Sequence, residues 1–114
     1  RAYQIGIDMY EQIIKTAMGF VWIVSEDNGR ATQLRAGKTW VRLSLAAQRE
    51  GVCIPPLSQI LQEFPAMAEP YAAIREVLDV PAEGTVQMLG RIGYTSFPAS
   101  SPRWPLESRL LNTA

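Results

Sequence analysis

The chain has 114 residues, 47% hydrophobic and 19% charged, and its eleven basic and eleven acidic side chains cancel. This balance suits one globular domain and supplies no net field for nucleic acid or an acidic partner, so any bound anion must be held locally. The single cysteine, Cys53, excludes an internal disulfide, and the lack of histidine argues against a zinc site or a Ser-His-Asp triad.

No apolar run approaches the roughly 18 residues of a membrane span, and no signal-peptide pattern opens the chain, which reads as soluble. Its first residue is Arg1 rather than methionine, which suggests that a natural start lies upstream. From Tyr3 to Lys15, the residues Tyr3, Ile7, Tyr10 and Ile14 recur at helical spacing and predict an amphipathic helix. The run "AMGFVWIVS", Ala17 to Ser25, is apolar at nearly every position and predicts an interior strand covered on both faces. "EDNGR" then carries an Asn-Gly turn.

Thr32 to Glu50 is the longest helix candidate, with Ala36, Trp40, Leu43 and Ala47 on one stripe and Lys38, Arg42 and Arg49 on a solvated side. Gly51 suits the left-handed residue that ends a helix, and Pro55 and Pro56 block its continuation. Ser58 is placed to cap a short helix from Gln59 to Phe64. Pro70 fits the first turn of a further helix with Tyr71, Ile74 and Leu78 facing inward. "TVQMLGRIGY", Thr85 to Tyr94, predicts a second buried strand. Residues 1–94 thus form an α/β body, and residues 95–114, with three of the eight prolines, form an extended arm. Helices between the two strands imply a parallel crossover. Two strands do not make a stable sheet, so the missing ones are expected upstream or in another copy of the chain.

The segments "AGKTWVRLSLAAQREGVCIPPLSQ", "VQMLGRIGY" and "SPRWPLE", in that order, resemble the C-terminal half of the FMN-dependent nitroreductase family, and within it the branch with a "PLSQ" elbow. The resemblance implies a mixed α/β (α+β) sheet flanked by helices, an intertwined homodimer, and FMN at the subunit interface. It places flavin contacts through the elbow backbone at Pro56, Leu57 and Ser58, and a phosphate contact at Arg103. It implies an oxidoreductase that takes electrons from NAD(P)H to a nitroaromatic, quinone or similar small aromatic acceptor, with no side chain in a catalytic role, because the cofactor carries the hydride step. The family's usual acidic-glycine pair at the elbow is replaced by Leu57-Ser58, and its N-terminal Arg/Ser phosphate cluster is absent from this chain.

Other readings of the same residues stand beside this one. "PPLS" serves as a loop and cap in many proteins, and Arg103 suits a solvated arm. Trp22, Trp40 and Tyr71 suit a core, Trp104 a dimer anchor, and Cys53 a small buried residue. A flavin-storage protein, or a structural domain of the same fold, is the alternative to an enzyme.

Overall fold

The computed structural model describes residues 2–96 and 102–110. In chain order these form helix α1 (Ala2–Lys15), strand β1 (Gly19–Ser25), helix α2 (Arg30–Arg49), strand β2 (Val52–Cys53), helix α3 (Ala68–Val77) and strand β3 (Thr85–Tyr94). Single 3-10 turns cover Gln59–Leu61, Pro65–Met67 and Leu106–Ser108. The fold is α+β, with three helices and an antiparallel sheet in the order β1-β3-β2.

The strand direction corrects the expected parallel crossover. β3 lies antiparallel to β1, from Gly19 opposite Ile92 to Ser25 opposite Thr85. β2 is also antiparallel to β3, with Val52 opposite Tyr94 and Cys53 opposite Gly93. β1 and β2 therefore run the same way, as expected for two strands joined by a helix, and β3 is inserted between them. The crossover through α2 ends on the two-residue strand that the sequence pattern did not show. One missing strand thus comes from the chain's own elbow.

A second correction concerns β1, which is an edge strand rather than an interior one. Its residues alternate between half-buried and exposed, with Phe20, Trp22 and Val24 on the open face. Trp22, expected in a core, is 43% exposed. Uniform apolarity hid the alternation, because period-two patterning is readable only when one face is polar.

α2 packs across the strands, with Ala36 and Thr32 buried on its inner side and Trp40, Leu43 and Ala47 half-buried. The close approach depends on Gly90 in β3. A Cβ there would lie 2.7 Å from the Trp40 ring, 3.0 Å from Ile54 and 3.1 Å from the Pro55 carbonyl oxygen. α2 ends as expected, with Gly51 at φ 73° and the Glu50 N–H closing on the Ala46 and Ala47 carbonyls.

Beyond Gly51 the chain runs along the free edge of β3. The Arg91 N–H donates to the Pro55 carbonyl oxygen at 3.1 Å, Pro56 faces Gly90, and the Leu57 N–H donates to the Leu89 carbonyl oxygen at 2.8 Å. Two adjacent prolines are compatible with this path because it is an edge, where no further strand needs their N–H groups. The segment after it is shorter than the helix expected to Phe64. Ser58 has helical dihedrals and makes no side-chain capping bond, so only one 3-10 turn forms. α3 then carries Pro70 in its first turn, with Tyr71, Ile74 and Leu78 half-buried as the periodicity implies. Arg75 ties it to the turn before β3, donating to the carbonyl oxygens of Pro81 at 2.8 Å, Ala82 at 3.1 Å and Gly84.

In the arm, Pro102–Leu110 is described and exposed, and the Arg109 guanidinium lies 4.4 Å over the Trp104 ring. Residues 97–101 and 111–114 of the expected arm lie outside the described residues.

Candidate functional site

The face of the sheet opposite α2 carries the site. Cross-strand neighbours share a face, and the register sets Trp22 beside Leu89 there, with Phe20 next along β1. α1 contributes Tyr10 and Ile14, and α3 contributes Ile74, Val77 and Leu78. The elbow closes the end with Pro56, Leu57, Ser58, Gln59 and Ile60. Together they line a groove of about 700 Å³, within the range of pockets that take small ligands.

Three of the four site residues named from the sequence, Pro56, Leu57 and Ser58, are therefore brought together on one groove. Their backbone donors are not equivalent. Pro56 has no N–H, and the Leu57 N–H is spent on Leu89. Ser58 retains an N–H with no acceptor among the described residues. Arg103 does not line the groove. It lies exposed in the arm, where its Nη1 donates to the Pro102 carbonyl oxygen at 3.3 Å. Tyr10, Phe20, Trp22 and Gln59 were not singled out as site residues from the sequence. The aromatic character of the first three reads as core when the exposed face of β1 is not apparent, and Gln59 reads only as the first residue of the short helix after Ser58.

A smaller cleft of about 230 Å³ lies near the ends of α1 and β3, where Cys53 and Arg91 meet Thr16, Met18 and Tyr94. Arg91 shares the groove face in register with Phe20, but its guanidinium is directed to the end of α1, donating to the Ile13 carbonyl oxygen at 3.3 Å. That contact places a cation at a helix C-terminus, where the backbone dipole favours it.

The start of α2 is held by a polar cluster at the C-terminal end of β1. Asp27 accepts the Gly29 N–H at 2.6 Å and the Thr32 hydroxyl at 3.0 Å, and Arg35 donates to Thr32 Oγ1 at 2.7 Å. The Gly29 N–H, the Thr32 hydroxyl and the Arg35 charge hold the Asp27 carboxyl below the ordinary aspartate range, outweighing desolvation. Gln87 sits where the β1–β3 register shifts and donates to Ser25 Oγ at 2.9 Å and to Asn28 Oδ1 at 3.2 Å. The Asn-Gly pair does not form the expected turn: Gly29 is extended, at φ −67° and ψ 155°, and sits at the N-cap of α2 with its N–H held by Asp27.

Among the described residues, no group of three acidic, cysteine or histidine side chains is placed to hold a metal, and no helix is long and apolar enough to cross a membrane. Compared with known proteins, the chain matches no family model and no curated protein.

Proposed function

We propose that this chain is part of an FMN-binding oxidoreductase of the nitroreductase type, working as a homodimer. FMN, when bound, supplies the chemistry, accepting a hydride from NAD(P)H and passing electrons to a nitroaromatic, quinone or related acceptor. The observation that carries the reading is the convergence of Pro56, Leu57 and Ser58 on a groove walled by Tyr10, Phe20 and Trp22. An aromatic-walled groove of this size suits a flat ring system, and the Ser58 N–H is a fixed donor for the electron-rich edge of such a ring.

The lining fits the ring and not the phosphate, because no lysine or arginine is among the groove residues. A phosphate there needs a guanidinium from elsewhere: Arg103 of the arm, or residues of a second copy. Support for a second copy comes from the surface. The chain exposes 9279 Å², whereas a compact monomer of this mass exposes roughly 6,200 Å². An excess of roughly 3,000 Å² per chain is enough for a pair of chains to supply a large obligate interface, which buries roughly 2,000–5,000 Å² summed over both partners.

The test is a titration of the purified protein with FMN, followed by release of the flavin on denaturation. Saturable, stoichiometric binding is expected, and Arg103→Ala should weaken it by roughly one to two decades. A protein that takes up no FMN would overturn the proposal. Steady NAD(P)H oxidation with a nitroaromatic or quinone would then separate an enzyme from a flavin-storage protein.

A further inference from the structure

We infer that the α1 helices of two copies of this chain pack against each other, antiparallel, through Ile5, Met9 and Ile13. The inference rests on the homodimer proposed above and names the face that forms it, and it does not depend on the flavin. At about 100° per residue, the large apolar residues of α1 fall into two adjoining stripes. One is Tyr3, Ile7, Tyr10 and Ile14, and the other is Ile5, Met9 and Ile13. Together they cover roughly 200° of the helix, about twice the arc of a single packed face. Gln4, Asp8, Glu11, Gln12 and Lys15 fill the remainder.

The chain itself uses only part of the first stripe, where Tyr10 and Ile14 border the groove. Apart from Gly6 and Ile13, every described residue of α1 from Tyr3 onward is exposed, with Ile5 at 63% and Met9 at 54%. A helix of this length is marginal in water without a packed face, so the second stripe calls for a cover. Lipid suits it poorly. Helices that lie on membranes carry Lys and Arg on the polar side, whereas Asp8 and Glu11 outnumber Lys15 here, and Lys15 is paired with Glu11 at 2.6 Å. A second copy fits in register and in area. A two-fold axis beside Met9 sets Met9 against its counterpart and Ile5 of each copy against Ile13 of the other, so each apolar residue meets another while the helix dipoles oppose. The chain also exposes roughly 3,000 Å² more than a compact monomer, several times the roughly 800 Å² that a standard interface takes from each partner.

The test is sedimentation equilibrium of Met9→Lys, of Met9→Glu, and of the two mixed in equal amounts. Each variant alone is expected to dimerise at least about tenfold more weakly than the unaltered chain, because like charges meet at the axis, and the mixture should regain most of the loss. Gln4→Lys, the same charge change on the polar side of the helix, should stay within about twofold. A second measurement does not depend on charge: in a Cys53→Ser background, Met9→Cys should form a disulfide-linked dimer under mild oxidation and Gln4→Cys should not. Unchanged dimerisation of the Met9 variants, a mixture no tighter than its components, or cross-linking at position 9 no greater than at position 4 would each overturn the inference. So would an unaltered chain that stays monomeric at low micromolar concentration, which would assign the stripe to another segment or another protein. FMN titration of the same samples keeps the two readings apart: a dimer that persists in the Met9 variants with FMN uptake intact removes this inference alone, and association through α1 without FMN uptake removes the flavin reading alone.

Discussion

Gly90 is the residue on which the packing of α2 against the sheet turns. The Trp40 ring, the Ile54 side chain and the Pro55 backbone occupy the space where a side chain would begin, and the Pro55 carbonyl, being backbone, cannot rotate away. Gly90→Ala is expected to destabilise the chain by about 1–3 kcal/mol, the usual cost of overpacking, read as a lower midpoint in denaturant. An unchanged midpoint would mean that Trp40 does not pack there. Asp27 gives a second residue-level expectation. Its carboxyl is held below the ordinary range by the Gly29 N–H first, then Thr32 and Arg35, so the folded state prefers the ionised form. That contribution is complete above the unfolded-state value near the ordinary aspartate pKa, and it is lost as pH falls through the lower folded-state value. Asp27→Asn should therefore reduce the loss of stability between neutral and acid pH. An identical acid limb in the variant would show that the Gly29 and Thr32 contacts do not favour the charge.

The elbow is the element that joins fold to site. It serves at once as a short strand, an edge lined by two prolines, and one end of the groove. Its value to a ligand lies in backbone rather than side chains, which gives a test in two substitutions. Ser58→Ala keeps the N–H and should leave FMN affinity within about twofold, whereas Ser58→Pro removes the donor and should weaken it by about five- to tenfold, the worth of one hydrogen bond. Equal effects of the two variants in the FMN titration would shift the contact to the hydroxyl. The fold of the Ser58→Pro chain is checked by its circular dichroism, since the Ser58 φ of −83° lies near the range proline requires.

On the scale of the whole molecule, the described surface carries many large apolar side chains. Large apolar side chains lie open along α1 at Tyr3, Ile5, Ile7, Met9 and Ile14, along β1 at Phe20, and in the arm at Trp104 and Leu106. The radius of gyration of 17.6 Å also exceeds the roughly 13 Å of a compact domain of this length. Buried apolar side chains are few, with Ala36, Val86 and Leu89 forming the core among the described residues. Sedimentation of the chain should accordingly show concentration-dependent association at low micromolar levels, with unfolding that sharpens as the dimer forms. A compact monomer with cooperative unfolding at the same concentrations would contradict both the expected dimer and the exposed faces.

Helix and strand identity were legible in the sequence because they depend on local spacing. Thr85–Tyr94 is the observed strand β3, and the stripe Ala36, Trp40, Leu43 and Ala47 faces the sheet. The stop at Gly51 was also local, since only its backbone freedom was at issue. The elbow was visible as a proline-rich break. Its strand was not, because pairing with β3 is a property of residues some forty positions away in sequence. For the same reason the direction of β3 and the open face of β1 lay beyond any local pattern. Both follow from which strand is inserted between which. The groove is a consequence of that choice: Trp22 and Leu89 become neighbours only through the antiparallel register. Sequence spacing thus determined the elements and their ends, while tertiary pairing alone decided which apolar faces were buried and which were left open to form a site.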